Sequence, residues 1–130
     1  MRSIRRILLI YDADGGALAG LVDVLRRFGS KRDACALRAI TRVGRSERPR
    51  WAEHRARYAV PVVGVYRNEL DSSMSAAAQE AFPCVIVDVD GRRLRVLDRT
   101  AIERCRAQED PIACFETALR DALRHFDLSA

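Results

Sequence analysis

From Ile7 to Tyr11 the chain is continuously apolar, and then its character changes. Asp12 and Asp14 follow with one residue between them, and Gly15 and Gly16 come next. This order predicts a buried strand over Ile4–Tyr11, a tight turn and the start of a helix. Leu18, Leu21, Val22, Leu25 and Phe28 then recur at helical spacing. They predict a helix over residues 17–28 that ends at Gly29, with Arg26 and Arg27 in its last turn. After a polar connector, Cys35–Val43 reads as a short helix with Asp33 as its N-cap. Gly44–Pro49 reads as a loop, and Arg50–Tyr58 as one or two further helical turns.

The run Val60–Tyr66 is almost wholly apolar. That predicts a central parallel strand buried on both faces, with Pro61 at its start, where no ladder donor is needed. An Ala-rich stretch, Ser72–Ala81, predicts a short helix. Cys84–Val89 and Arg93–Leu97 flank Asp90-Gly91-Arg92, and Asp-Gly between two such runs is a hairpin signal. Leu94 and Val96 alternate with Arg93 and Arg95, so one face of the second run is expected to meet solvent. Thr100 followed by Glu103 has capping-box spacing. Pro111 opens a helix through Phe126, with Ile112, Phe115, Leu119 and Leu123 on its apolar side.

The expected order is therefore β-α-(α-α)-β-α-β-β-α. One right-handed β-α-β unit leads into a helix, an antiparallel hairpin and a closing helix. The fold class is α/β: a mixed four-stranded sheet with flanking helices and a helical insertion at about 30–59. The carboxyl end of the first strand is where α/β proteins commonly place a ligand, so the turn at Asp12 is the expected site.

Composition narrows the class. The chain has 130 residues, which predicts one domain over 1–130, and 48% of them are hydrophobic, which argues against disorder. Arg2, Arg5 and Arg6 ahead of Ile7–Ile10 have a faint likeness to a secretory leader. The apolar run is short, and Asp12 and Asp14 stand where a cleavage site would lie. The expectation is a cytoplasmic protein without membrane contact. Its four cysteines, Cys35, Cys84, Cys105 and Cys114, form no C-x-x-C pair and are expected to be reduced. With two histidines in the chain, a Cys/His metal site has little support. No metal or cofactor is expected.

The net charge is +5. Residues 31–57 carry nine basic side chains (Lys31, Arg32, Arg38, Arg42, Arg45, Arg48, Arg50, Arg55 and Arg57) against Asp33, Glu47 and Glu53. With Trp51 and Tyr58 among them, the segment could bind nucleic acid or another anion. The plainer reading is a solvated helical face, with Trp51 as an anchor for the inserted helices.

Two resemblances bear on function. The element order resembles the thioredoxin fold. The first strand and turn, Phe82-Pro83 directly before the third strand, and the Asp90-Gly91 hairpin carry the likeness. It implies a cis-proline at Pro83, beside the turn. Where that superfamily holds its redox cysteines, this chain reads Asp14-Gly-Gly-Ala-Leu-Ala, so the usual thiol chemistry is expected to be absent. The chain also resembles a bacterial family sometimes labelled GTPase-like. Its members end the first strand in a Tyr-Asn/Asp-Ala-Asp/Asn turn and carry Cys-x-x-Cys-Ala-Leu/Ile-Thr further on. Here the second stretch is Cys35-Ala-Leu-Arg-Ala-Ile-Thr41, with Arg38 in place of the second cysteine. There is no G-x-x-x-x-G-K-[ST] phosphate loop.

The function expected on these grounds is a binding or interaction domain. Its ligand site comprises Tyr11, Asp12, Asp14, Gly15, Gly16, Arg38 and Pro83, and takes an anionic ligand or a protein partner. Two enzymatic alternatives stand beside it. Asp12 and Asp14 before Gly15 resemble the first motif of haloacid dehalogenase-like phosphatases, in which one carboxylate attacks phosphorus, the other acts as acid/base and Mg²⁺ joins both to the phosphate. The alternative to that chemistry is that Asp14 caps a helix and Asp12 orders the turn. Cys35 is the other catalytic candidate. A helix start near Lys31, Arg32 and Arg38 would favour a thiolate, and an anion could sit between Cys35 and Arg38.

Overall fold

The structure, a computed structural model, describes residues 2–15, 35–44 and 46–130. The helix expected over residues 17–28, and with it Gly16, Lys31, Arg32 and Asp33, lies outside them.

A sheet organises the chain. Strand β1 (Arg2–Tyr11) pairs in parallel with β4 (Val62–Tyr66) and antiparallel with β5 (Cys84–Val89), and β5 pairs antiparallel with β6 (Arg92–Leu97). The spatial order is β4-β1-β5-β6, and a short strand, β7 (Leu128–Ser129), joins the amino end of β1 in parallel. Among the described residues the sheet thus has five strands where four were expected. A separate hairpin pairs β2 (Arg42–Val43) with β3 (Ser46–Glu47). Five helices are described: α1 (Ala36–Thr41), α2 (Pro49–Arg55), α3 (Ser72–Ala78), α4 (Arg99–Arg106) and α5 (Pro111–His125).

The central strands are the two longest apolar runs. Residues 7–11 of β1 and all of β5 are buried, as expected of strands covered on both faces. Side chains alternate between the faces. Ile7, Leu9, Tyr11, Val85 and Val87 join a large core with Leu37, Trp51, Ile102, Phe115 and Leu119. Leu8, Ile10, Cys84 and Ile86 face the other way, against Ala78 and Met74 of α3. Each fully buried Leu or Ile contributes about 1.5–3 kcal/mol through this burial.

Several expectations are corrected. Val60–Tyr66, expected as a central strand, supplies β4, which among the described residues lies at the sheet edge with Val63 41% exposed. Its valines suit any extended segment, and composition alone does not separate edge from centre. Pro61 does precede the strand, and its carbonyl accepts the Ile7 N–H. The Arg93 and Arg95 face of β6 is only partly open to solvent. Arg93 pairs with Asp88, and Arg95 donates to the Ala78 carbonyl beneath α3. Asp98, not Thr100, caps α4, accepting the Ala101 N–H. Arg42–Val43 forms a hairpin strand instead of ending the preceding helix.

The hairpin turn is as expected. Asp90 and Gly91 have φ of 52° and 72°, the paired left-handed conformations of a two-residue turn. The Phe82–Pro83 peptide is cis. Cys84 pairs with Ile10 in register, so Pro83 falls beside the carboxyl end of β1.

Cys105 and Cys114 are joined by a disulfide, against the expectation of reduced cysteines. The corner between α4 and α5 brings their Cα atoms to 5.3 Å, inside the range that a disulfide spans.

Candidate functional site

Parallel pairing of β1 and β4 brings their carboxyl ends together, with Tyr11 in register with Tyr66. The residues leaving the two strands therefore meet. Asp12, Ala13, Asp14 and Gly15 follow β1, while Arg67, Asn68 and Glu69 form a 3₁₀ turn after β4.

A set of hydrogen bonds joins these segments. Arg67 donates Nη1 to Asp12 Oδ1 at 2.9 Å, Nε to Asp14 Oδ1 at 2.9 Å and Nη2 to Asp14 Oδ2 at 3.2 Å. Its backbone N–H reaches the Ala13 carbonyl. The Asn68 amide then satisfies both backbone groups of Gly15: Oδ1 accepts the Gly15 N–H at 2.7 Å, and Nδ2 donates to its carbonyl at 3.1 Å. Glu69 turns back to accept the Tyr66 N–H. The Asp14 carboxylate, with Asp12 beside it, holds the Arg67 guanidinium above its ordinary range, so this cation persists at any accessible pH.

Glycine is required at Gly15 by close approach. A Cβ there would stand 2.8 Å from Tyr66 Cδ2. Gly64 plays the same part on the neighbouring strand, where a Cβ would come within 2.6 Å of Tyr11 Cε2. The two tyrosine rings pack at 5.3 Å between centroids, tilted by 45°.

The residues expected at the site separate into two groups. Asp12, Asp14 and Gly15 share the turn, and Pro83 lies buried beside its root. Tyr11 is core rather than pocket wall. It is buried, its hydroxyl meets Thr41 Oγ1, and burial raises its pKa. Cys35 is 0% exposed. It stands at the N-cap of α1, and its sulfur accepts the Asp12 N–H at 3.3 Å. Buried in this way, it supports the turn from below and presents no thiol to solvent. Arg38 is also buried, and its guanidinium donates to the Gly44 carbonyl across the β2–β3 hairpin. Cys35 and Arg38 are thus both buried, with the Arg38 guanidinium turned to the Gly44 carbonyl.

Among the described residues of the basic segment, Arg38, Arg48, Arg50 and Arg55 are engaged within the fold. Arg48 bonds the Ala39 carbonyl, Arg50 bonds Asp110 through both terminal nitrogens, and Arg55 bonds Glu47. Trp51 is buried against Phe115, an anchor for α2 rather than a platform for bases. Comparison of the chain with protein-family models, curated proteins and solved structures finds no match.

Chemically, the turn differs from an open pair of carboxylates. A nucleophilic Asp beside Mg²⁺ needs oxygens turned towards metal and phosphate. Here one guanidinium takes three of the four carboxylate oxygens, and its positive charge opposes a divalent cation at the same place. Among the described residues no cluster of three or more His, Cys, Asp or Glu could hold a metal ion. No helix among them is long and apolar enough to cross a membrane.

Arg67 and Asn68 were not singled out from the sequence. A signal was present: two parallel strands place their carboxyl ends side by side, so the polar residues after the second strand face the turn after the first.

Proposed function

We propose that the chain is a binding domain of thioredoxin-like architecture that uses no dithiol at the end of its first strand. Its recognition surface is the Asp12–Gly15 turn with the adjoining Arg67–Glu69 turn. The observation that carries this reading is the Arg67 guanidinium bridging Asp12 and Asp14. It fixes two loops into one charged surface and occupies the oxygens that phosphoryl transfer would use. The order β4-β1-β5-β6, with β4 parallel to β1 and β5–β6 an antiparallel hairpin, supports the thioredoxin-like assignment. The partner is a protein or an anionic ligand that engages the exposed side of Arg67 and its neighbouring carboxylates.

The test is differential capture. Wild-type protein and the Arg67→Ala variant are used as baits on the same cell extract, alongside an assay of both for turnover of generic phosphoesters. A partner retained by the wild type and lost from Arg67→Ala, with no turnover by either, is the expected result. Phosphoester turnover that disappears in Asp12→Asn would replace the binding domain with an enzyme.

A further inference from the structure

The sequence holds no C-x-x-C motif, yet the fold assembles a cysteine pair from α4 and α5. Cys105 lies in the last turn of α4 and Cys114 in the first turns of α5, nine positions apart in sequence. We propose that Cys105 and Cys114 form a reversible dithiol–disulfide site that exchanges with low-molecular-weight thiols, with Cys114 as the sulfur attacked from solution.

The first support is the difference in access. Cys105 is 2% exposed and faces the large core beside Ile102. Cys114 is only partly buried and packs at the margin of that core. A thiolate must approach a disulfide sulfur directly, so the less buried member receives the attack and the fully buried member leaves.

The second support is that the corner is anchored by contacts other than the disulfide. Asp110 caps α5 by accepting the Ala113 N–H, its carbonyl accepts the Cys114 N–H at 3.0 Å, and Arg50 grips its carboxylate from α2. Asp98 caps α4 at its other end. These contacts hold the two helices at the same corner in either redox state, so the sulfurs stay close enough to re-form the bond.

In the reductive direction, a glutathione thiolate attacks Cys114 Sγ. The Cys105–Cys114 bond breaks, and Cys105 leaves as a thiolate that takes a proton from water. A second glutathione thiolate attacks the glutathione sulfur of the mixed disulfide, releasing glutathione disulfide and the Cys114 thiolate, which is protonated in turn. Overall, the protein disulfide and two glutathione thiols give the protein dithiol and one glutathione disulfide. The reverse sequence oxidises the pair.

The test uses the full chain and glutathione as the probe. Oxidised wild-type protein is treated briefly with glutathione, quenched with acid and peptide-mapped. The expected result is a 105–114 link in the starting material and a transient glutathione adduct on Cys114. Single variants extend the test. In glutathione disulfide, Cys105→Ser should gain an adduct at Cys114 at least about tenfold faster than Cys114→Ser gains one at Cys105, because access governs the attack. An adduct on Cys105, adducts shared evenly, or no 105–114 link in the oxidised protein would overturn the proposal. Trapping in the wild type decides the matter even if the Cys105→Ser variant fails to fold.

Discussion

Arg67 grips Asp14 through two side-by-side hydrogen bonds, Nε to Oδ1 and Nη2 to Oδ2, and spends its remaining terminal nitrogen on Asp12. A fork of this kind is directional as well as charged, and it ties the exit of β1 to the exit of β4. The pair is partly solvated, with side-chain exposures of 39% for Arg67 and 27% for Asp14, so its stabilising effect is modest. In a double-mutant cycle of Arg67→Met and Asp14→Asn, the coupling should be about 0.2–1 kcal/mol, shrinking as salt is added. Urea unfolding of the four proteins at low and high salt measures it. Strict additivity would mean that the two side chains do not act together.

The neighbouring tyrosine offers a stability test of a different kind. The Tyr11 ring lies over the Gly64 backbone, where an added Cβ would fall 2.6 Å from Cε2. Tyr11 is buried and tied to Thr41, so it has little room to yield. Gly64→Ala should destabilise the protein by about 1–3 kcal/mol, as overpacking does, even though alanine is the better strand former. Adding Tyr11→Leu should recover part of that loss. A Gly64→Ala protein as stable as the wild type in thermal unfolding would place the ring elsewhere.

Sequence patterning was most informative where the signal is local. The Ile7–Tyr11 run, the Asp90-Gly91 turn and the Pro111 helix start each announce themselves within a few residues, and all three stand in the structure. What escaped depends on partners distant in sequence. Val62–Tyr66 reads as a buried strand because valine favours any strand, while its edge position is decided by which strands come to flank β1. The Asp12–Arg67 contact spans 55 positions, and Leu128 pairing with Arg2 spans nearly the whole chain. The Cys105–Cys114 pair was hidden for a related reason: its spacing matches no motif, and only the angle between α4 and α5 brings the sulfurs together. Asp12 and Asp14 were correctly placed at the end of β1, but their chemistry depends on Arg67.

Cys84 supplies a pH prediction. Burial pushes its thiol up to about 11, with Arg95 opposing weakly. An unfolded cysteine ionises near pH 8.5. Because the folded value is the higher one, this contribution is complete below about pH 8.5 and is lost as the pH rises towards 11. Its full size is about 3 kcal/mol. Between pH 8 and 10, wild-type stability should therefore fall more steeply than that of Cys84→Ala, whatever the cavity costs the variant at neutral pH. Parallel slopes in denaturant titrations at several pH values would show that Cys84 does not titrate in this way.

Arg67, in the function proposed above, makes the Asp12–Asp14 turn a fixed recognition surface and not a metal-dependent phosphoryl-transfer site. Calorimetric titration of Mg²⁺ into the full chain tests it most directly, with Asp12→Asn as the comparison. The two proteins should give indistinguishable heats, at the level of dilution alone, because the guanidinium already holds the oxygens a cation would need. Saturable, stoichiometric Mg²⁺ binding by the wild type that is abolished in Asp12→Asn would contradict it.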